Sequence, residues 1–275
     1  MPKSSKPPKR IAPDCPPSGT IDGTERCCIQ PASNSVSENG NRRYFTTAYK
    51  PFVNGGRILN KCQNLDVKRT CTGGTVTITK TFSYKYANGA TAKDHQSIIT
   101  SAIDSAMGTW TSKAQSYKVI INEVGCAPQH LKIQFRAKTV TSGADVTVEA
   151  RNIEGRSYVI GGKKMVFFIK DGYMEWVMIH EIGHTFGLPD EYIYSHPEDT
   201  APSVTYLNPI PPDETITLSD SEVPAETKGT FSFDNSTVMG EHSNEEFPVY
   251  LYYWVGIEVR ELLKKEGITA CVQVV

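Results

Sequence analysis

Residues 75–86 (TVTITKTFSYKY) alternate apolar and polar positions and are rich in β-branched and aromatic side chains, a pattern that predicts a strand. Asn88-Gly89 closes that strand with a turn. Over 94–115 the period changes. Ile99, Ile103, Ala106 and Trp110 recur at helical spacing, with Ile98, Ala102 and Met107 beside them, and predict an amphipathic helix. Short apolar runs at 118–122, 131–137, 145–150, 157–160 and 165–170 predict five further strands. Gly125, Gly143, Gly155 and Gly161-Gly162 punctuate them. After Asp171-Gly172 comes a stretch with Trp176, Val177, Ile179, Ile182 and Phe186 on most sides, which predicts a buried helix. Leu251, Trp254, Val255, Val259, Leu262 and Leu263 predict a last helix. Ser243-x-x-Glu246 is placed to open it as a capping box, and Gly267 to end it.

Between these elements residues 195–235 read as a long polar connection. It carries Pro197, Pro202, Pro209, Pro211, Pro212 and Pro224 and many acids. A structureless segment of that length is expected to be functional or disordered: a cleft wall, a lid or a calcium loop, although its acids do not fit an EF-hand. At the other end, MPKSSKPPKRIAPDCPPSG is basic and proline-rich and lacks the apolar region of a signal peptide.

Composition narrows the class. The 275 residues are 39% hydrophobic and 21% charged, as in a globular protein large enough for a sizeable core. A net charge of -1 gives no electrostatic reason to expect nucleic acid or an anionic membrane, and no apolar run has the length of a membrane span. The cysteines change the picture more. Five of the seven (Cys15, Cys27, Cys28, Cys62 and Cys71) precede residue 72, and Cys126 and Cys271 follow. No C-x-x-C pair supports a zinc finger, so residues 1–73 are expected to be a leader plus a disulfide-stapled segment, with residues 74–275 as a second unit. Cys62 with Cys71, and Cys126 with Cys271, are the expected pairs. The expected destination is secreted or extracytoplasmic, without a recognisable signal peptide.

The chemistry concentrates at 173–194, YMEWVMIHEIGHTFGLPDEYIY. His180 and His184 lie four residues apart, so on a helix both imidazoles project from one face towards one metal ion. Glu181 points to the side of that ion, where its carboxylate can take a proton from a bound water. Gly187 permits the left-handed residue that ends a helix, and Pro189 forbids its continuation. Asp190 can then swing in as a third ligand. Three protein ligands and one open position form the catalytic zinc pattern. A glutamate farther on, Glu258 or Glu261, is an alternative third ligand, with Asp190 then supporting from outside. His196 and His242 read as surface histidines. Cys15 could in principle bind the zinc as a latency ligand, but its proline-rich setting reads as a tail.

His180-Glu181-x-x-His184-x-x-Gly187-x-x-Asp190 resembles the long zinc motif of the metzincin metallopeptidases, in the variant with aspartate as third ligand. The Asp190-Glu191-Tyr192 ending is also similar to that of bacterial peptidases related to immunoglobulin A-cleaving metallopeptidases, whose spacing to the aspartate is one residue longer. Ser236-Thr237-Val238-Met239-Gly240 looks like the methionine turn that lies beneath the metal in metzincins. The resemblance covers roughly the C-terminal two-thirds of the chain. It implies an α+β, zincin/metzincin-like fold: a twisted mixed sheet, an N-terminal-side helix, the zinc helix, the methionine turn and a C-terminal helix. It also implies an edge strand that pairs with the substrate backbone, for which 145–150 and 157–160 are candidates, with Met239 packing under the histidines.

The implied function is a zinc-dependent endopeptidase with Glu181 as general base, acting on protein or peptide substrates. Tyr192, Tyr194, Tyr250, Tyr252 and Tyr253 are candidates for a phenol that stabilises the oxyanion. A secreted bacterial effector or toxin with a dedicated inhibitor or immunity protein would suit the cysteines. A toxin or adhesive module whose zinc is structural is the alternative from another class.

Overall fold

The computed structural model describes residues 64–71, 73–123, 125–191, 237–240 and 245–275, together with the backbone of six short strands elsewhere. In chain order the elements are β1 (Asn34–Val36), β2 (Phe45–Thr47), β3 (Leu65–Arg69), β4 (Gly73–Ala87), α1 (Ala92–Ala114), β5 (Lys118–Glu123), β6 (Gln129–Thr139), β7 (Val146–Arg151), β8 (Tyr158–Ile160) and β9 (Lys164–Phe168). Then come α2 (Met174–Thr185), β10 (Tyr192–Tyr194), β11 (Ser203–Leu207), β12 (Thr215–Ser219), β13 (Thr230–Ser232), a 3-10 turn (Val249–Tyr252), α3 (Tyr253–Lys265) and β14 (Ala270–Val274). Among the described residues the fold is α+β, with a mixed sheet and three α-helices.

The alternating sequence of β4 becomes the spine of a nine-stranded sheet, in the order β14-β5-β6-β4-β7-β9-β8 with β3 and β1 branching from β4. At 15 residues β4 serves two partners in succession along one edge. Gly74 to Ile78 pair antiparallel with β3, and Phe82 to Ala87 pair parallel with β7. Its other edge pairs parallel with β6. β3 and β1 precede residue 74, and Leu65 and Val67 of β3 are buried in the main core, so the sheet spans the expected unit boundary. At the far end β8 pairs antiparallel with β9 and, among the described residues, with nothing else. Of the two candidate edge segments, 145–150 therefore falls inside the sheet and 157–160 at its rim.

α1 buries Ile99, Ile103, Ala106, Met107, Trp110 and Ala114, one stripe with the period of the helix, against β6 and α2. Thr91 caps it by accepting the Asp94 N–H. Trp110 is fully buried and donates its indole N–H to the Ile179 carbonyl of α2 at 3.1 Å. Edge-on ring contacts to Phe186, Phe247 and Tyr252 surround it, each worth about 0.5–1.5 kcal/mol beyond area burial. α1 thus fixes α2 through both apolar packing and one directed hydrogen bond.

Two expectations are corrected. Residues 195–235 are not structureless: β11 pairs with β12 and β2, and β13 pairs with β10. The β-branched runs SVTYL and TITLS carry strand preference that the flanking prolines conceal. Glu246 does not open the last helix. It forms an isolated bridge with Thr237, and α3 begins only after Pro248 and the 3-10 turn, with Tyr252 at its N-cap position. Cys71, Cys126 and Cys271 are disulfide-bonded. Cys271 lies opposite Asn122 of β5, and Cys126 follows that strand in a turn, so these two sit at one corner of the sheet. Cys15, Cys62, His196 and His242 lie outside the described residues.

Candidate metal centre

α2 is buried on nearly every side, from Val177 through Gly183. Its end is set by backbone chemistry. Gly187 has φ +92°, the left-handed region that glycine occupies without a Cβ penalty. Its N–H donates to the His184 carbonyl at 3.0 Å, and the Leu188 N–H donates to the Gly183 carbonyl at 3.2 Å, the paired bonds of a Schellman motif. The chain so reversed carries Asp190 back over the helix.

His180, His184 and Asp190 then converge. The two Nε2 atoms are 3.1 Å apart, and each is 3.2 Å from Asp190 Oδ1. Each imidazole donates its Nδ1–H to a backbone carbonyl at 2.8 Å, His180 to Val238 and His184 to Leu188. A carbonyl can only accept, so the proton sits on Nδ1 and the lone pair on Nε2. Three lone-pair donors within 3.2 Å of one another repel unless a proton or a metal ion sits among them. Tetrahedral ligands at zinc bond lengths of about 2.0–2.2 Å stand about 3.3–3.6 Å apart, so the observed triangle is close to what zinc demands. The group could hold a metal ion, and the carbonyls are the outer partners that orient metal-bound histidines. Asp190, rather than Glu258 or Glu261, belongs to it. Glu258 is buried in α3, and Glu261 is paired with Lys264 and Arg260 on the surface.

Glu181 neighbours the triangle without joining it. It is 5% exposed, and its Oε2 is buried with no hydrogen-bond partner. Burial pushes its carboxyl pKa up, while His184, His180 and Arg156 oppose the rise. For Asp190, burial would raise the pKa, but the charge and hydrogen bonds of the two histidines hold its carboxyl well below the usual range.

Beneath the helix lies Met239, fully buried. A Cβ on Gly183 would collide with its Sδ and approach Trp110 Cζ2 to 3.2 Å, so only glycine permits this contact. Gly183 therefore carries a signal: glycine inside a helix costs about 1 kcal/mol and marks close approach. Gly183→Ala is expected to cost about 1–3 kcal/mol by overpacking and to weaken metal binding, read by chemical denaturation and metal titration.

The turn around Met239 is tied to the ligand loop by Glu191, which is fully buried. Glu191 donates its N–H to the Met239 carbonyl at 2.9 Å, and its Oε2 accepts from Thr237 Oγ1. Thr237 Oγ1 in turn accepts the Met239 N–H at 3.2 Å. Nothing local in the sequence marks Glu191 as buried, since its partner lies 46 residues on. Trp176 stacks on His180 with ring centroids 4.9 Å apart and lines a cavity of about 550 Å³ with Lys113, Tyr173, Ile179, Val238 and Phe247. Tyr252 is committed to the core, donating its hydroxyl to the Trp110 carbonyl at 3.3 Å.

Compared with known proteins, the chain matches no family model and no curated protein. No helix among the described residues is long and apolar enough to cross a membrane.

Proposed function

We propose that this chain is a zinc-dependent endopeptidase in which His180, His184 and Asp190 hold the ion and Glu181 is the general base. One observation carries the reading: three convergent lone-pair donors beside a buried carboxylate oxygen that has no partner of its own. Nitrogen and carboxylate ligands in a near-tetrahedral triangle suit zinc. When bound, zinc would acidify a water and polarise a peptide carbonyl. Glu181 would take the proton of the attacking water and pass it to the leaving amine. The rim strand β8, which packs against α2, would pair with the backbone of an extended substrate, and the cavity beside Trp176 would receive a side chain next to the scissile bond.

The order sheet, α1, strands, α2, Met239 turn and α3 supports a metzincin-like assembly. The disulfide-bonded cysteines support an oxidising destination, where an effector role with a dedicated inhibitor is one setting. A structural zinc would need a fourth protein ligand, and the group among the described residues has three. Purified protein is expected to digest an unfolded protein, to lose that activity to a chelator, and to regain it with about one equivalent of zinc. Zinc-loaded protein that cleaves no unfolded substrate would count against the reading.

A further inference from the structure

The register of β8 on β9 sets what its open side offers. Val159 lies opposite Met165, which is fully buried in the main core, and Val159 packs against the same core. Tyr158 lies opposite Val166 and Ile160 opposite Lys164, so both side chains turn to the other face of the sheet. There they are 41% and 54% exposed, high for large apolar side chains on a strand.

Backbone direction follows from the same pairing. The Ile160 carbonyl accepts the Lys163 N–H at 3.1 Å and so faces β9. Successive residues of an antiparallel ladder turn their backbone groups to opposite edges, so Val159 turns its N–H and C=O away from β9. Among the described residues that edge pairs with no strand. The strand is pinned at both ends, by the Lys163 bond and by the Phe168 N–H donated to Ser157 Oγ at 3.1 Å. A chain added antiparallel, the more stable mode, would exchange both bonds with Val159 through one residue. Its neighbours on either side would stand beside Tyr158 and Ile160, with Cβ atoms about 4.5–5.5 Å apart.

Three residues of strand are too small a contact for a stable dimer, which buries on the order of 1,000 Å² or more. They suit an extended peptide that a second site also holds. β8 packs against α2, the helix that carries His180, Glu181 and His184.

We propose that Tyr158 and Ile160 are specificity-determining residues that select apolar side chains at the two substrate positions flanking the residue bonded to Val159. This rests on the peptide-cleaving reading of the centre. Main-chain bonds hold any extended chain, whereas alternate side chains discriminate among chains. An apolar residue at each position is favoured over a polar one about threefold in kcat/KM, the usual scale of a cross-strand pair. The preferences do not fade with salt, since no charge takes part. Antiparallel direction fixes the order: Ile160 meets the more N-terminal of the two positions, and Tyr158 the more C-terminal.

The test uses internally quenched peptides of one ten-residue background, with Leu or the near-isosteric Asn placed in turn at each position. They are compared on the wild type, Tyr158→Thr and Ile160→Thr. Both sites are exposed and threonine keeps strand preference, so the variants retain the fold. The expected result is a Leu-over-Asn ratio of about three at two positions, two apart. Ile160→Thr brings the N-terminal one to about one, and Tyr158→Thr the C-terminal one. A preference set by the cavity beside Trp176 is recognised by its indifference to both variants. N-methylation of the residue between the two positions is expected to cost about tenfold, by removing its bond to the Val159 carbonyl. Ratios that neither variant changes, the reverse order, or N-methylation without loss overturns the proposal. Sedimentation that finds the wild type dimeric and both variants monomeric would give the edge to a second copy and overturn it too. If no peptide is cleaved, the peptidase reading fails, and binding of fluorescein-labelled copies to zinc-loaded Glu181→Gln decides on β8 alone. Paired Leu preferences lost in Tyr158→Thr and Ile160→Thr support it, and binding blind to them, or no binding, overturns it.

Discussion

Asp190→Ala is expected to release the metal while leaving the protein folded. Asp190 is the only anionic member of the triangle and the only one not on α2, so its loss leaves two neutral imidazoles and two open positions. The fall in zinc affinity should exceed the roughly 10–100-fold that removal of a supporting partner costs, because a ligand itself is removed. Glu258→Ala, the control for the alternative ligand, should leave zinc affinity unchanged, measured by competition with a chromogenic chelator. In the metal-free protein, burial pushes the His184 imidazole down, yet Asp190 and Glu181 together lift its pKa to about 9. Below that pH a proton on His184 competes with the metal. Affinity should therefore fall as the pH drops from about 9 towards 7, by up to about tenfold per unit. In Asp190→Ala the largest support for that proton is gone, and the same slope should flatten.

Glu181→Gln is expected to do the opposite: retain zinc and lose catalysis. The amide fills the same space but cannot accept the proton, and general-base contributions are typically about 10²–10⁴-fold. The loss should fall on kcat, with KM little changed, since Glu181 lies outside the ligand triangle. Glu181 is also buried with one unpartnered oxygen, so substitution by an uncharged isostere should not destabilise the fold, an expectation that thermal melting against the wild type checks.

The two residues differ in how far the chain announces them. Spacing alone brings His180, Glu181 and His184 to one helix, because a four-residue interval is a property of the local backbone. Gly187 and Pro189 likewise declare the turn that returns Asp190, since φ +92° and a missing N–H are local demands. The β4 alternation and the α1 stripe are legible for the same reason. Glu191 and Thr237 are not: each is an ordinary polar residue until the fold brings them together across 46 positions. The strands between Tyr192 and Ser232 were hidden because prolines outweigh short β-branched runs in any local reading, whereas pairing between distant strands decides the outcome. The rim position of β8 belongs to topology, which no local pattern encodes. Gly183 stands between these cases, readable as an anomaly within a helix but explained only by Met239.

The most direct measurement is zinc-edge X-ray absorption on the zinc-loaded protein, its Glu181→Gln form and its Asp190→Ala form. The account predicts a shell of two imidazole nitrogens and oxygens at about 2.0–2.2 Å, the same in Glu181→Gln and altered in Asp190→Ala. A sulfur at about 2.3 Å, or a shell that Asp190→Ala leaves intact, would contradict a three-ligand centre with an open position and with it the catalytic role assigned to Glu181.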